Sequence, residues 1–595
     1  MFLVLIETSG NQDYIFSTNK LRENVGASEL TFQAGTSWIL EAVAENGGSP
    51  LLRVWQAELQ ESELRRKLID QNQNPAIDSP QHGRTAEIIV AASGKALIIT
   101  KDEQTAKAII QSVSLRALKE APGLDLFGVF HKFDWEHDPL YEVVEIVHQK
   151  FVKARSRKPS QNLRFLRLPV VAECATSGLP AAIVDPNAPG GSVLRSMVAH
   201  KKRNQYDSNI HRIQRLLDRN EIKKNFARSI KVLDQELNDE SDTSERLSQW
   251  RSVIHADGNG LGEIFLKFGQ HLETLGKVTG DLRQDNRTYV DCLRRFSLAL
   301  DVCTERAFIT AIRSLKLNNE SLLPIVPLVL GGDDLTIVCD GQFALPFTEQ
   351  FLRAFEAETT KRDSEHYDGT VAEVAKVALG VDRMSACAGV AIIKPHFPFS
   401  VAYELSEDLM QSAKTVKQNL THEVGSRRIP YPCSALDFHV LYDSSGVELS
   451  RIRKRLEPET STYLYIAPYV VTPLEQLNVA NAMKTWANQH HWSHLKRRIQ
   501  ALLATDENGR RKLPNSQMHD LRNALLLGAN LADARFRLMR SRYIDPESPI
   551  DIRALEGDPE SLFTQNTSYR NTGLLDALDA ADFVATANPN QDEDC

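Results

Sequence analysis

Residues 324–342 read PIVPLVLGGDDLTIVCDGQ. Two apolar, β-branched segments, 325–330 and 335–339, flank Gly331-Gly332-Asp333-Asp334, the composition of a β-hairpin with two acids at its tip. The glycines tolerate positive φ and leave room for a ligand to approach the backbone. Asp333 and Asp334 are neighbours, so on an extended chain they point to opposite faces unless the turn rotates one of them. Carboxylates at a tight glycine turn suit Mg²⁺ or Mn²⁺, hard cations that bind through one or two protein carboxylates plus substrate phosphates. An ordinary surface turn has the same composition, so the tetrapeptide alone does not decide.

A third acid does. Residues 251–265, RSVIHADGNGLGEIF, form a short apolar strand ending in Asp257, then a glycine-rich turn with Gly258 and Asn259, then a helix start. An acid at a strand end before such a turn again suits metal and phosphate. Between the two segments Leu293, Phe296, Leu300, Cys303, Ala307, Ala311 and Leu315 recur at helical spacing. A further helix over 343–358 leads to a strand over 385–394. The order is βαββαβ, the ferredoxin-like arrangement, with Asp257 and the hairpin on adjacent strands. Three carboxylates meeting there around divalent ions is what phosphoryl and nucleotidyl transfer requires.

The whole chain fits this frame. Its 595 residues imply several domains. A hydrophobic share of 42% and a charged share of 25% are those of an ordinary soluble protein. A net charge of −8 gives no global signal for nucleic acid or membrane. Cysteines 174, 292, 303, 339, 387, 433 and 595 form no CxxC pair and read as reduced thiols. No stretch has signal-peptide or membrane-span character, so the expected location is cytoplasmic.

The N-terminal part repeats the pattern. VLIETSGNQDYIF (4–16) lies over VIHADGNGLGEIF (253–265), which puts Thr8 opposite Asp257. A helix over 26–43 and a strand over 50–55 follow. The hairpin at 90–104 lies over 328–342, with Ser93-Gly94 opposite Gly331-Gly332 and Lys95-Ala96 opposite Asp333-Asp334. Helix 103–118 and strand 126–133 complete a second βαββαβ unit. The expectation is an internal duplication whose first copy has no acids at the site. The expected fold is α+β: a first palm-like domain (1–160), a basic, largely helical linker (161–248), a second palm domain (249–445), a helical C-terminal domain (446–585) and a disordered acidic tail (586–595).

Residues 150–167 carry seven Lys/Arg and no acid, and 195–231 carry eleven against three acids. They suit a polyphosphate or nucleic-acid surface, or a solvated helix face. Lys394, at a strand end, and Lys414, on the following helix, are candidate triphosphate contacts. His490, His491, His494 and the pair His519-Asp520 read as helix-surface or capping groups rather than an HD-type metal site.

With these residues in view, the chain resembles the large, palm-containing subunit of type III CRISPR effector complexes, particularly the Cmr-type branch. The likeness runs through ETSGNQDYIFSTNKLRENVGASEL, ADGNGLG, the GGDD hairpin, AGVAIIKPHFPFSVAYELSEDLMQSAK and ALDFHVLY, in order over most of residues 1–445. Members make cyclic oligoadenylates from ATP when the complex binds target RNA. The resemblance implies that Asp257, Asp333 and Asp334 hold Mg²⁺ or Mn²⁺, and that Gly331 and Gly332 admit the triphosphate. It further implies an acceptor ATP near Gly26 and Ser28, with guide RNA, target RNA and other type III subunits as partners. Two features depart from the family. The palm strand begins at residue 2, where many members carry an HD nuclease domain. ECATSGLPA keeps only Cys174 of the usual four-cysteine zinc site, so zinc is not expected.

The sequence therefore reads as a metal-dependent nucleotidyltransferase making cyclic oligonucleotides from ATP. Two alternatives stand beside it. One is a standalone cyclase making a cyclic dinucleotide, as a homodimer if it works alone. The other is a non-catalytic scaffold that binds RNA or protein through the basic segments.

Overall fold

The computed structural model describes residues 1–49, 61–79, 83–92, 94–157, 164–186, 191–227, 250–315, 317, 322–395, 397–442, 447–545, 548 and 551–584. The strand expected over 50–55, Ser93 of the first hairpin and the tail expected over 586–595 lie outside them. The fold is a mixture of helices and small sheets, α+β.

Two sheets organise it. The first holds β1 (Phe2–Ser9), β2 (Ala86–Ala92), β3 (Lys95–Thr100) and β4 (Asp125–Lys132) in the order β2-β3-β1-β4. Helix α1 (Leu21–Gly35) follows β1, α2 (Glu103–Glu120) follows β3 and α3 (Leu140–Ser156) follows β4. In the second sheet β5 (Arg251–Gly258), β6 (Ile325–Gly331), β7 (Asp334–Asp340) and β8 (Ala386–Ile393) run in the order β6-β7-β5-β8. It is extended by β9 (Ala435–Val440) and β10 (Tyr469–Val470). Here α4 (Leu282–Ser314), α5 (Gly341–Thr359) and α6 (Phe399–Ala413) take the matching places. Both sheets follow β-α-β-β-α-β with the same neighbours, antiparallel throughout the four shared strands. Even the irregularity repeats. Each hairpin slips register once, between Ile88 and Val90 in one and between Pro327 and Val329 in the other.

The ladders give a more exact superposition than sequence alignment does, and they correct it. Lys95 closes the first hairpin opposite Ala92, as Asp334 closes the second opposite Gly331. Ala96 faces Ile6, as Leu335 faces Ala256. The counterpart of Asp257 is therefore Glu7, not Thr8. The counterpart of Asp334 is Lys95, and that of Asp333 is Gly94. The expectation that the first copy has no acid at this place does not hold. A gapless alignment slides by one residue here, because it has no register to anchor it.

The two halves share their cores. On β1, Val4 and Ile6 meet Val25, Leu30 and Ile109 of their own half's helices, but also Val253, Val326 and Leu409 of the other half. Leu3 and Leu5, on the opposite face, join Val143 and Val147 of α3 with Val290 and Leu293 of α4. So α4 crosses onto β2 and α1 crosses onto β6, each half's first long helix packing on the other's sheet. Arg287 and Arg294 of α4 donate to the buried carboxylate of Glu87 on β2 at 2.8 and 2.6 Å, fixing one crossing.

The segment between the sheets contains a short hairpin (Ile183–Asp185 with Val193–Arg195) and helices Met197–Asn204 and Tyr206–Arg219. Toward the C-terminus come helices Asn481–Gln489, Trp492–Leu503, Asn515–Leu527 and Ala529–Tyr543. His491 caps the second of these by accepting from the Ser493 amide, and His490 stacks on Trp486. Among the described residues, no helix is long and apolar enough to cross a membrane.

Candidate active site

Asp257 ends β5, and Asp333 and Asp334 form the β6–β7 turn on the neighbouring strand. Carboxylate oxygens of the three all lie within 4.8 Å of one another. Among the described residues this is the only group of three or more His, Cys, Asp or Glu side chains close enough to share an ion. Two local features allow it. Gly332 adopts φ +63°, which turns the hairpin sharply. Gly258 has no room for a side chain, since a Cβ there would stand 2.8 Å from both Cβ and Oδ2 of Asp333.

The turn is held from behind by α4. Asp301 accepts from the Gly332 amide at 2.6 Å, and the Thr304 hydroxyl donates to the Gly332 carbonyl at 2.5 Å. Neither residue belongs to the apolar stripe that marked this helix in the sequence. An acid and a threonine spaced i, i+3 on the flank of that stripe were the available signal.

Lys414, which follows α6, donates its ammonium to the Asp257 carboxylate. Burial alone would raise the Asp257 pKa. A hydrogen bond from Asp334 and the Lys414 charge reverse that and hold it below the ordinary value. Its neighbours go the other way. Burial, and next the Asp257 charge, push Asp333 up to about 7. Burial and the charges of Asp333 and Asp257 raise Asp334 well above a normal carboxyl. Asp334 reaches water through the cleft mouth, so the crowding of like charges is the firmer cause. One lysine does not neutralise three carboxylates. A hard-oxygen donor set with unrelieved negative charge fits one or more divalent cations.

Beside the acids, His255 accepts or donates at 3.0 Å to the Thr336 hydroxyl, and burial lowers its pKa to about 4, so it is neutral. Tyr403 of α6 stacks on Phe16 of the first half, with ring centroids 3.6 Å apart. Asp333, Asp334, Gly331, Gly332, His255 and Tyr403 line one wall of a cavity of about 480 Å³ between the halves. Ser28, Phe16, Lys95 and His148 line the other.

The remaining sequence candidates divide. Ser28 faces this cavity. Gly26 does not, because a Cβ there would overlap the Lys202 carbonyl; its missing side chain serves helix packing rather than ligand approach. Asn259 spends its side-chain amide on Ser385, Cys387 and the Cys433 carbonyl, so it braces the strand ends. Lys394 is at the wrong end of the sheet. It follows Ile393, which pairs with Arg251, and its ammonium sits 5.2 Å from the Trp250 ring. The acids are a strand length away, roughly 20 Å.

No family model and no curated protein matches the chain. Several solved structures align with it. One is the Csm1–Csm4 subcomplex in the type III-A CRISPR-Csm interference complex, at 13% identity and a TM-score of 0.41, covering 92% of this chain and 63% of that one. Another is a Csm1–Csm4 cassette in complex with cA4, at 12% identity and a TM-score of 0.38, covering 69% and 52%. The same cassette in complex with AMPPNP aligns at 12% identity and a TM-score of 0.36, covering 69% and 53%. Against these aligned structures, this chain is similar to between 52% and 63% of their length.

Proposed function

We propose that the chain is a metal-dependent nucleotidyltransferase that joins ATP into cyclic oligonucleotides, with two palm domains facing each other, as a type III CRISPR effector subunit. The observation that carries this is the convergence of Asp257, Asp333 and Asp334 at adjacent strand ends, their oxygens within 4.8 Å. In this reaction the 3′ oxygen of one nucleotide forms a bond to the α-phosphate of another, and pyrophosphate leaves. A divalent ion held by the three acids would polarise that phosphate and spread the charge that builds on it.

The chain's own groups supply the rest. Gly332 and Gly258 let backbone and carboxylate approach closely enough for a nucleotide to sit against the turn. Lys414 keeps Asp257 ionised and stands within reach of a phosphate that enters beside it. Asp301 and Thr304 keep the turn from relaxing away from the strand end. The stacked pair Phe16–Tyr403 offers an aromatic wall for a base. The expected cofactor is Mg²⁺ or Mn²⁺, and target RNA and other effector subunits are the proposed partners.

The test is incubation of the purified protein with α-labelled ATP and Mn²⁺, with and without RNA, beside Asp333→Ala/Asp334→Ala. Cyclic products from the wild type, reduced at least about 100-fold in the double variant, are expected, since the lost groups act at the reacting phosphate. A product of two nucleotides favours a cyclic-dinucleotide cyclase. No product under any RNA favours a scaffold.

A further inference from the structure

A second cavity, of about 790 Å³, lies on another flank of α4, between helix Glu61–Ile69, the end of helix Tyr206–Arg219 and the loop Ser364–Gly369. Five guanidiniums line it, those of Arg65, Arg66, Arg219, Arg295 and Arg306. Ile69, Leu216 and Val302 give it an apolar side. Arg65 donates twice to Glu305, once at 2.9 Å, and Arg219 stands 4.0 Å from the same carboxylate. One anion thus serves two cations, and Arg219 Nε is buried without a hydrogen bond among the described residues.

The remaining anions come from the loop. Glu365 accepts from Arg306 at 2.5 Å and Asp368 stands 3.8 Å from Arg295, and both acids are well exposed. The loop itself is strained. Tyr367 and Asp368, which also line the cavity, adopt φ +49° and +59°, a region that a Cβ disfavours. His366 pins them there by bridging Glu358 and Asp363 at 2.9 and 2.7 Å. Exposed ion pairs of this kind are weak, so a ligand anion can replace the loop acids, and release of the strain favours the exchange. Adjacent arginines suit phosphate oxygens, which accept their paired N–H donors.

The cavity also reaches the acid-bearing turn. Asp301, which accepts from the Gly332 amide, precedes Val302 of the cavity wall. Burial raises its pKa, and the Arg65 charge is the largest influence against that. An anion beside Arg65 weakens that influence, and with it the hold of the carboxylate on the turn. We propose that this cavity is an effector site for a di- or triphosphate group, free or on a nucleoside, and that filling it loosens the Gly332 turn through Arg65 and Asp301. Only its regulatory meaning rests on the nucleotidyl-transfer reading.

The experiment is calorimetric titration of inorganic tripolyphosphate into the full chain in EDTA. The wild type is expected to bind, and Arg66→Gln/Arg295→Gln to bind at least about tenfold more weakly, the range of lost charge-assisted contacts. Arg66→Lys/Arg295→Lys should keep part of the affinity. Both side chains reach solvent, so folding should survive, which thermal melting checks. Hydrogen exchange at the Gly332 amide should quicken when the wild type is saturated, and not in the glutamine variant at the same concentration. ATP binding more tightly than tripolyphosphate, with the same loss in that variant, assigns the apolar side to a base; equal binding assigns the site to the inorganic anion. Equal affinity of wild type and glutamine variant for tripolyphosphate, or no binding by the wild type, would overturn the site. Binding with unchanged Gly332 exchange would overturn the transmission. Absence of labelled product with Mn²⁺ would instead sink the transferase reading and leave these results standing.

Discussion

Gly258 and Asp333 occupy one space between them: the carboxylate fills the volume in which a Gly258 side chain would stand, 2.8 Å from its ideal Cβ. In the first half the corresponding positions are Thr8 and Gly94, and the small residue has changed sides. There Thr8 donates its hydroxyl to the Gly94 carbonyl at 3.0 Å, and a Cβ on Gly94 would collide with that hydroxyl. Each half keeps one glycine at this contact, but only in the second does the other residue carry a charge.

Gly258→Ala should therefore be a site mutation rather than a folding mutation. The methyl must displace Asp333 or Leu261, whose Cδ1 lies 2.7 Å from the same point. Overpacking of this kind costs about 1–3 kcal/mol, whereas misplacing a catalytic group by an ångström costs about 100-fold in rate. Product formation from labelled ATP should fall by about that factor while the melting temperature shifts by a few degrees. A variant with full activity would show that Asp333 need not hold this position.

Metal affinity should depend on pH in a defined direction. Asp333 has a folded pKa of about 7, above its unfolded value. The folded state binds the extra proton between these values, so stability without metal falls as pH rises through the window. Divalent cations compete with that proton. Mn²⁺ binding to the nucleotide-free protein, followed by the loss of free-ion paramagnetic signal, should strengthen as pH rises through the range in which the raised carboxyls of Asp333 and Asp334 lose their protons. The Asp333→Asn variant should lose part of the slope.

The crossing of the two halves should be acid-sensitive at Glu87. Burial alone would raise this carboxyl, but Arg294, Arg287 and the Ile77 amide hold it below its ordinary pKa. Because the folded value is the lower one, its contribution is complete above the unfolded pKa and is lost as pH falls through the folded one. Glu87→Gln removes the anion that Arg294 and Arg287 share, leaving them Asp291 and Asp78, and should cost about 1.5–3 kcal/mol near neutral pH. Urea unfolding across the acid range should show the wild type converging on the variant.

The cluster of three acids was legible because its chemistry is local: an acid at a strand end, and two more at a glycine turn. The strand order was legible too, through the alternation of apolar runs with a helical stripe. What escaped were relations that only register and packing decide. Glu7 reads as the end of an apolar strand until the ladder sets it opposite Lys95. Gly26 carries the same one-letter signal as a ligand-admitting glycine, yet the space it leaves is filled by the Lys202 backbone. Lys394 is a strand-end lysine like many that bind phosphate, but strand direction sends it away from Asp257. Asp301 and Thr304 lie beside a helical stripe whose apolar members took all the notice.

Because α1 lies on the second sheet and α4 on the first, neither half can withdraw without baring an apolar surface of the other. The two walls of the cavity between the halves are thus tethered inside a single polypeptide, and their encounter does not depend on dilution.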